Sequence, residues 1–463
     1  MSTSSPTAAG PPLALLRCPQ CLGDAALDPA ADGWRCTRCD TAYPRLGGLA
    51  WLLPAPEARR VEWRQRFRLL ERELEAARAA IGERLDAGGL LAATRARLER
   101  LRAAQAAQVE ELRELLAPLE PEASIARLET LLALRTRTPL TQDLNSYYVN
   151  VHRDWAWGER ENAAALQLAT DLLAGAPARR VLVPGCGAGR LAFDLHHALR
   201  PELTLGLDLN PMLAWIAARV AGGGEVALHE FPVAPRCGSD VAVARRLRAP
   251  HAASAGLEFA IGDALRAPLR PGSFDAVLTP WFVDIVPHAF APLVAQVAAM
   301  LRAGGTWANF GSLSFNQRDP ASWHGPDEIV AILEGAGFEV LQTLDRQLPY
   351  LQSPASRHGR IETVFGFAAR LRRTAAEPPP LDNLPDWLGD AARPVPLLPH
   401  FQTQALANRV VAYTFALIDG RRSTEQIAAH LVGQKLLLPG EAEAAVRSFL
   451  VALYEESQRR ARF

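Results

Sequence analysis

Residues 181–190 read VLVPGCGAGR, an apolar run followed by three glycines at alternate positions, Gly185, Gly187 and Gly189. A buried strand that leads into a glycine-rich turn is typical of nucleotide-binding α/β folds, because glycine lets the backbone turn tightly and approach a ligand closely. The helix predicted from Arg190 would present free N–H groups and its positive dipole end to that ligand. We therefore interpret this stretch as the first strand, loop and helix of the fold.

Outward from this stretch, strand-like and helical patterns alternate over residues 140–372. Such alternation predicts a mainly parallel, doubly wound α/β sheet of the Rossmann-like class, with helices on both faces. Two late segments are expected to close the sheet as antiparallel strands. The predicted strands are Val181–Pro184, Leu203–Asp208, Leu257–Ile261, Ala276–Thr279, Thr306–Phe310, Phe338–Leu344 and Thr363–Ala369, and the predicted helices are 190–200, 211–221 and 288–302.

Two acidic residues follow predicted strands at positions that suit a nucleoside. Asp208 ends the second strand, where a carboxylate can accept hydrogen bonds from both ribose hydroxyls. Asp263, followed by Ala264, ends the third strand, where a group that recognises the adenine amine is expected. The glycine spacing is G-x-G-x-G rather than the G-x-G-x-x-G of dinucleotide binders. Together these features predict a site for S-adenosylmethionine.

Four of the six cysteines form two pairs, Cys18-x-x-Cys21 and Cys36-x-x-Cys39, with 14 residues between the pairs. This spacing is typical of a tetrahedral zinc site, and four cysteine ligands make such a site closed and structural. We predict a zinc ribbon over residues 13–56 that depends on the metal for its folding. A redox pair is the alternative use of these cysteines. The unit resembles the short zinc-ribbon proteins that partner tRNA methyltransferases.

The remaining segments are predicted to be helical or to act as linkers. Residues 57–136 have helical spacing of apolar residues, and the glycines at 88 and 89 predict a break between the helices of a hairpin. A dimerising coiled coil is disfavoured because no strict heptad is sustained. Residues 373–399 are rich in proline and are typical of a semi-rigid linker.

Residues 400–463 are predicted to form a small helical domain. Its helix–DGRRST–helix pattern resembles winged-helix and PqqD-like peptide-chaperone domains, and Ser423 with Gln426 is expected to form a capping box. The resemblance implies binding of a leader peptide by strand addition, and a packing or dimerisation module is the alternative.

The charge balance argues against partners that bind by bulk electrostatics. The 463 residues include 50 basic and 50 acidic side chains, which gives no support for binding to nucleic acid or to a membrane surface by charge. No window has the ~18 apolar residues of a membrane span, and the first residues lack the pattern of a secretory signal. We therefore expect a cytoplasmic protein.

Several blocks of the chain resemble the carnosine N-methyltransferase family, also called N2227-like, within the class I S-adenosylmethionine-dependent methyltransferases. The resemblance covers residues 151–370 and is strongest in VLVPGCGAGRLAFDL, which is similar to the family's V-P-G-x-G-x-G-R-L-A block. The other blocks are VHRDWAWGERE (151–161), EFPVAP (230–235), VLTPWFVDIVPH (277–288) and RAGGTWANFGSLSF (302–315).

The resemblance implies roles for individual residues. Gly185, Gly187 and Arg190 would hold the methionine end of the cofactor, and Asp284 would orient a substrate imidazole. Asn316 stands where the family has a histidine, and His288 corresponds to a family histidine displaced by one residue. The residues expected to bind the cofactor are Arg153, Gly185, Gly187, Gly189, Arg190, Asp208, Asp263, Ala264 and Trp281, and the candidate catalytic residues are Asp284, Asn316 and His288.

The leading hypothesis from the sequence is methyl transfer to an imidazole-like nitrogen of a small molecule or a histidyl peptide. One alternative is a methyltransferase that matures a genetically encoded peptide recruited by the C-terminal domain. Another is a non-catalytic scaffold, against which the intact glycines and the three acids argue. A nucleic-acid base methyltransferase is disfavoured, because TPWF (279–282) stands where such enzymes carry an N-P-P-Y type motif.

Overall fold

The computed structural model describes residues 11–23, 27–120, 144–315, 317, 319–373, 378–379 and 392–458. They fall into two compact units, Met1–Leu381 and Asp382–Phe463. The strands are β1 (Leu27–Ala30), β2 (Gly33–Cys36), β3 (Ala42–Leu46), β4 (Leu49–Leu52), β5 (Arg180–Pro184), β6 (Leu203–Asp208), β7 (Val226–Glu230), β8 (Val243–Leu247), β9 (Leu257–Gly262), β10 (Phe274–Pro280), β11 (Leu301–Gly311), β12 (Phe338–Tyr350) and β13 (Arg360–Leu371). The helices are α1 (Pro56–Asp86), α2 (Ala92–Leu115), α3 (Tyr148–His152), α4 (Glu159–Leu172), α5 (Arg190–Leu199), α6 (Pro211–Ala221), α7 (Phe290–Met300), α8 (Pro326–Gly335), α9 (Pro399–Ala416), α10 (Thr424–Gly433) and α11 (Ala442–Gln458).

The predicted doubly wound α/β class is confirmed. In the described residues one sheet has the order β1-β2-β3-β4-β9-β6-β5-β10-β11-β13-β12. The central strands are parallel and β13 runs antiparallel to both of its neighbours. Every residue of β6 is buried, as expected for a parallel strand covered on both faces.

The largest differences from the predicted strand boundaries are in β11 and β12. β11 begins at Leu301 rather than Thr306, and its pairing with β10 shifts register between Phe274↔Leu301 and Ala276↔Thr306, so residues 302–305 form an irregular part of the strand. β12 extends to Tyr350, well beyond the predicted end. The hairpin of β7 and β8 was not predicted, because its alternating pattern is masked by arginines and glutamates.

The N-terminal ribbon continues the central sheet. β4 pairs in parallel with β9 through Ala50↔Ala260, Trp51↔Ile261 and Leu52↔Gly262. All four residues of β4 are buried. The ribbon therefore shares its core with the α/β region, a connection that the sequence alone did not predict.

The predicted helical hairpin is present as α1 and α2, with the break at the expected glycines. Trp63 and Phe67 of α1 are fully buried in the main core, and Glu111 of α2 accepts hydrogen bonds from the backbone N–H and ring of His229 in β7. The last part of the predicted helical region, residues 121–136, lies outside the described residues. None of the helices in the described part of the chain is both long and apolar enough to cross a bilayer.

The C-terminal unit consists of α9, α10 and α11 around a small core that includes Leu417, Ile427 and Leu431. The predicted capping box is present, because Ser423 Oγ accepts from Gln426 N–H at 3.2 Å and Gln426 Oε1 accepts from Ser423 N–H at 2.9 Å. Within residues 392–458 the unit has no strand, whereas strand addition requires an exposed strand edge. Peptide recruitment by this unit stays a prediction.

Candidate active site

A cavity of about 230 Å³ opens at the carboxyl ends of β5, β6, β9 and β10. This is the edge of the sheet at which open α/β folds bind their ligands. The cavity brings together seven of the residues expected to bind a cofactor. They are Arg153, Gly185, Gly187, Asp208, Asp263, Ala264 and Trp281.

The three glycines after β5 all have left-handed backbone angles, with φ of 63°, 58° and 84°. A Cβ at Gly185 would lie 2.4 Å from the ring of Phe282, and one at Gly189 would lie 2.6 Å from Cβ of Ala217. A Cβ at Gly187 would meet nothing within 4 Å and would point into open space beside the cavity. Gly185 and Gly189 are therefore required for packing, whereas Gly187 leaves room for a ligand.

Asp208 ties the glycine-rich loop to the end of β6. Its Oδ2 accepts from Gly187 N–H and its Oδ1 from Asn210 N–H, each at 2.8 Å. Burial raises the pKa of Asp208 from 3.8 to about 6, even though these backbone N–H groups favour the ionised form. Each carboxylate oxygen keeps a further lone pair with which to accept a ligand hydroxyl.

Asp263 begins the turn that follows β9. Its Oδ1 accepts from Leu265 N–H at 2.9 Å, so the side chain caps the short helical turn Ala264–Arg266. Burial raises the pKa of this carboxyl, and the charge of His288 is among the effects that oppose the rise. His288, a candidate catalytic residue, is not among the residues that line the cavity, although the adjacent Pro287 is.

The RDW segment packs directly on the glycine-rich loop. Trp155 Nε1 donates to the carbonyl of Ala188 at 2.7 Å, from a π-helical turn over Arg153–Trp157. Arg190 Nη1 donates to the carbonyl of Asp154 at 2.8 Å, and its Nε donates to both carboxylate oxygens of Asp194. Two of the blocks that carry the family resemblance are therefore in contact.

Two of the predicted cofactor residues lie behind the cavity wall instead of lining it. Each of the three guanidinium nitrogens of Arg190 donates to a protein group, since Nη2 also donates to Glu159 Oε2 at 3.2 Å. Gly189 packs closely against α6 and β9. Their direct contact with a cofactor stays a prediction.

Another part of the cavity wall is aromatic and includes Trp281 and Tyr350. Trp281 has a left-handed φ of 47°, rare for so bulky a residue, and its Nε1 donates to Glu362 Oε2 at 2.8 Å. The ring of Tyr350 lies 5.5 Å from that of Trp281, and its hydroxyl accepts from Asn150 Nδ2 at 3.2 Å. Arg360 lies 4.5 Å above the Tyr350 ring. Strained backbone of this kind concentrates at functional sites.

Asp284 is buried just behind this wall and does not line the cavity. Its Oδ2 accepts from Ser312 Oγ at 2.8 Å and from Ser314 N–H at 2.9 Å. Its Oδ1 is buried without a hydrogen-bond partner among the described residues. Asn316, the third candidate catalytic residue, lies outside the described residues.

Several lining residues were not singled out from the sequence. Tyr147, with φ of 66°, stands at the cavity mouth. Burial raises its pKa, and Tyr350, Asp208 and Asp284 raise it further through their charges. Glu161 holds the turn after β12, because its carboxylate accepts from Leu351 N–H and Gln352 N–H at 2.9 and 2.8 Å. Tyr147 lies four residues before the VHRDWAWGERE block and Glu161 is its last residue, and these positions were the available signal.

The four cysteines of the ribbon converge on one point. Their sulfurs all lie within 4.8 Å of one another, with 3.5 Å between Cys18 and Cys39 and 3.7 Å between Cys21 and Cys36. Thiolates that bind zinc at ~2.3 Å in a tetrahedron lie roughly 3.8 Å apart, so the cluster fits that ion.

The sheet order and the glycine-rich loop after its first central strand define a Rossmann-like α/β fold. The chain is 31% identical over 127 residues to the phthiotriol/phenolphthiotriol dimycocerosates methyltransferase of Mycobacterium leprae, an alignment that covers 27% of this chain. The aligned part of the chain spans about a third of that relative's length, 35%. No protein-family model matches the chain.

Two solved structures are also similar. One is the N-methyltransferase NodS of Bradyrhizobium japonicum in complex with S-adenosylhomocysteine, with 16% identity and a TM-score of 0.32 over 49% of this chain and 98% of that one. The other is an S-adenosylmethionine-dependent methyltransferase of Methanosarcina mazei, with 18% identity and a TM-score of 0.28 over 42% of this chain and 93% of that one.

Proposed function

We propose that the chain is a methyltransferase that binds S-adenosylmethionine in this cavity and methylates an imidazole-like nitrogen of a small molecule or a histidyl peptide. The observation that carries the proposal is that Gly187, Asp208 and Asp263 line one cavity at the carboxyl ends of three successive central strands. The similarity to a mycobacterial methyltransferase over 127 residues supports the same class of activity.

The groups on this side of the cavity fit the cofactor. Gly187 leaves open space beside the loop, and a side chain there would fill it. Asp208 offers carboxylate oxygens for two ribose hydroxyls, and Asp263 lies at the end of the neighbouring strand with a backbone turn for the adenine edge. When bound, the cofactor supplies an electrophilic methyl group on a sulfonium.

The residues on the aromatic side would present the acceptor. A neutral imidazole needs no strong base to attack such a methyl group, but it must present the correct ring nitrogen in line with it. A carboxylate that accepts a hydrogen bond from the N–H of the other ring nitrogen fixes the tautomer of the imidazole. The unpartnered Oδ1 of Asp284 suits that role, and an acceptor would reach it beside Ile285, the next residue in the chain, which lines the cavity.

For the ribbon we propose a structural zinc ion held by Cys18, Cys21, Cys36 and Cys39. Four thiolates leave no open coordination position, so the ion would supply folding free energy and no step of methyl transfer.

The decisive experiment is calorimetric titration with S-adenosylmethionine and S-adenosylhomocysteine. We expect micromolar binding that is lost in Gly187→Arg, because the new side chain fills the open space. Gly175→Arg is the matched control, since Gly175 also has a positive φ of 74° with open space around its Cβ but lies outside the cavity. Binding by the control at wild-type strength would exclude a general effect of arginine at such positions.

Methyl transfer is then assayed by mass spectrometry with histidyl peptides as acceptors. A mass gain of one methyl group on the imidazole supports the nitrogen acceptor, whereas cofactor binding without transfer to any imidazole would overturn that part of the proposal. Absence of cofactor binding by folded, zinc-loaded protein would overturn the proposed activity and favour the scaffold alternative.

A further inference from the structure

The segment from Asp263 to Arg270 has two different neighbours. On one side Asp263, Ala264 and Leu265 line the cavity, where we place the adenine end of the cofactor. On the other side the segment packs against the N-terminal ribbon, with Leu16 and Leu269 joined as an antiparallel bridge. The segment Asp263–Arg270 therefore contacts both the cavity and the ribbon that carries the cysteine cluster.

The closest link between them is the side chain of Arg266. Its Nε and Nη2 donate to the carbonyl oxygens of Pro19 and Gln20, each at 2.6 Å. Those two residues are the ones that stand between Cys18 and Cys21. The guanidinium thus binds the backbone of one Cys-x-x-Cys knuckle, only three residues along the chain from Asp263.

Backbone contacts reinforce this attachment. Arg17 N–H donates to the carbonyl of Pro268 at 3.0 Å, and Arg270 N–H donates to the carbonyl of Leu15 at 2.8 Å. In addition, the parallel pairing of β4 with β9 ends at Leu52↔Gly262, the residue immediately before Asp263. The whole adenine-side turn is therefore supported from outside by the ribbon.

The orientation of the Pro19 and Gln20 carbonyls depends on the closure of the knuckle. A metal that binds Cys18 and Cys21 fixes the turn between them, and without it this small unit lacks the folding free energy that the metal supplies. Charge-assisted hydrogen bonds from a guanidinium fork require both acceptors in place at once.

We propose that Arg266 is a positioning residue that couples the metal-bound state of the ribbon to the affinity of the cavity for its cofactor. This inference rests on the proposed function. Arg266 acts through Asp263 and Ala264 on the adenine end of the ligand and leaves the methionine end unaffected. Loss of the metal by chelation would then weaken cofactor binding.

The test compares Arg266→Ala with Arg270→Ala in the full chain. Arg270 belongs to the same segment, but its contact with the ribbon is made by its backbone N–H, which alanine keeps. Affinities for S-adenosylhomocysteine and for adenosine are measured by calorimetry, and zinc content by elemental analysis. For Arg266→Ala we expect both affinities to fall about tenfold with one zinc retained per chain, and for Arg270→Ala we expect wild-type values.

The measurement with adenosine separates an effect on the adenine side of the cavity from one on the methionine side. Adenosine lacks the methionine portion, so an effect through the adenine-side turn lowers both affinities by the same factor. Unchanged affinity in Arg266→Ala, or a loss for S-adenosylhomocysteine without one for adenosine, would overturn the inference. If the alanine variant does not fold, Arg266→Lys takes its place, and we expect a loss of about threefold for both ligands because lysine cannot donate as a planar fork.

A second arm removes the metal from the wild-type protein with a chelator and restores it. In the wild-type protein we expect cofactor affinity to fall when zinc is removed and to recover when zinc is restored. In Arg266→Ala we expect little further loss of affinity on zinc removal, because the hydrogen bonds from Arg266 to the knuckle are already absent. A wild-type-sized loss in that variant would contradict the role of Arg266. If untreated wild-type protein binds neither ligand, it is the proposed function that fails, a result distinct from all of these.

Discussion

The two walls of the cavity are built in different ways. The glycine-rich wall is made of backbone: the loop after β5 is fixed by a hydrogen bond from Gly187 N–H to Asp208 and by one from Trp155 to the carbonyl of Ala188. The aromatic wall is made of side chains, in which Trp281 and Tyr350 are held by a carboxylate and a guanidinium from β13 and by an amide from α3. The first wall is therefore suited to a constant ligand and the second to a ligand that can change between related proteins.

The largest effect expected on the aromatic side follows from Asp284→Asn. The amide can still accept hydrogen bonds from Ser312 and Ser314, so the fold should be kept, but the negative charge is lost and the free position can present a donor. If Asp284 orients the acceptor, kcat falls about 100-fold while affinity for S-adenosylhomocysteine is unchanged. Steady-state kinetics and calorimetry measure the two quantities.

The control for this variant is Asp345→Asn, at an exposed position on β12. Both quantities should keep their wild-type values there. Equal activity of Asp284→Asn and the wild type would leave Asp284 with only the structural role of holding residues 312–314.

On the backbone-built wall, the comparison of Gly189→Ala with Gly187→Ala separates packing from ligand space. Both positions have positive φ, which costs an alanine about 1 kcal/mol. Only at Gly189 does the new methyl group meet Ala217 at 2.6 Å and the ring of Phe259 at 2.8 Å, so the free energy of unfolding should fall by about 3 kcal/mol there. Gly187→Ala should lose about 1 kcal/mol of stability, yet it should weaken cofactor binding more than its stability change explains.

Urea unfolding followed by tryptophan fluorescence measures this difference. Nine of the ten tryptophans lie within Met1–Leu381, so the signal reports that unit. Equal losses of stability in the two variants would contradict the assignment of Gly189 to packing.

The same contrast explains what could be predicted from the sequence. The strand, loop and helix around Gly185–Gly189 and the positions of Asp208 and Asp263 at strand ends were predictable, because each depends on a short local pattern. The cysteine cluster was predictable for the same reason, since its spacing is local.

Features that depend on long-range side-chain contacts were not predictable. The hydrogen bond from Asn150 to Tyr350 joins residues 200 positions apart, and no local pattern indicates it. The pairing of β4 with β9 likewise joins segments far apart in the chain. The family resemblance implied a cofactor contact for Arg190, which stays a prediction, and the structure gives this side chain carboxylate and carbonyl partners that no local motif shows.

A smaller effect on the backbone-built wall comes from pH. The pKa of Asp208 is raised to about 6 by burial, so its carboxylate becomes protonated as the pH falls from 7 to 5. A protonated acid accepts ribose hydroxyls less well, and cofactor affinity should fall about tenfold over that range. For folding the sign is opposite, because the folded chain binds this proton more tightly than the unfolded chain. The contribution of Asp208 to stability therefore decreases as the pH rises from 3.8 to about 6.

Calorimetry with S-adenosylhomocysteine at several pH values checks this dependence, and Asp208→Asn is the matched variant. Its affinity should be lower at pH 7 and nearly independent of pH. Burial also raises the pKa of Asp263, so pH dependence of full size in Asp208→Asn would assign the effect to Asp263.

The smallest effect should come from Tyr350→Phe on the aromatic wall. The ring keeps its contacts with Trp281 and Arg360, and only the hydrogen bond from Asn150 is lost. A net loss of about 0.5–1 kcal/mol corresponds to a two- to fivefold rise in KM for the acceptor, with cofactor affinity unchanged. A cycle with Asn150→Ala sharpens the test, because the two changes remove the same bond and should not add. Additive effects would mean that the hydroxyl and the amide act separately on the substrate, and that the wall is positioned by ring packing alone.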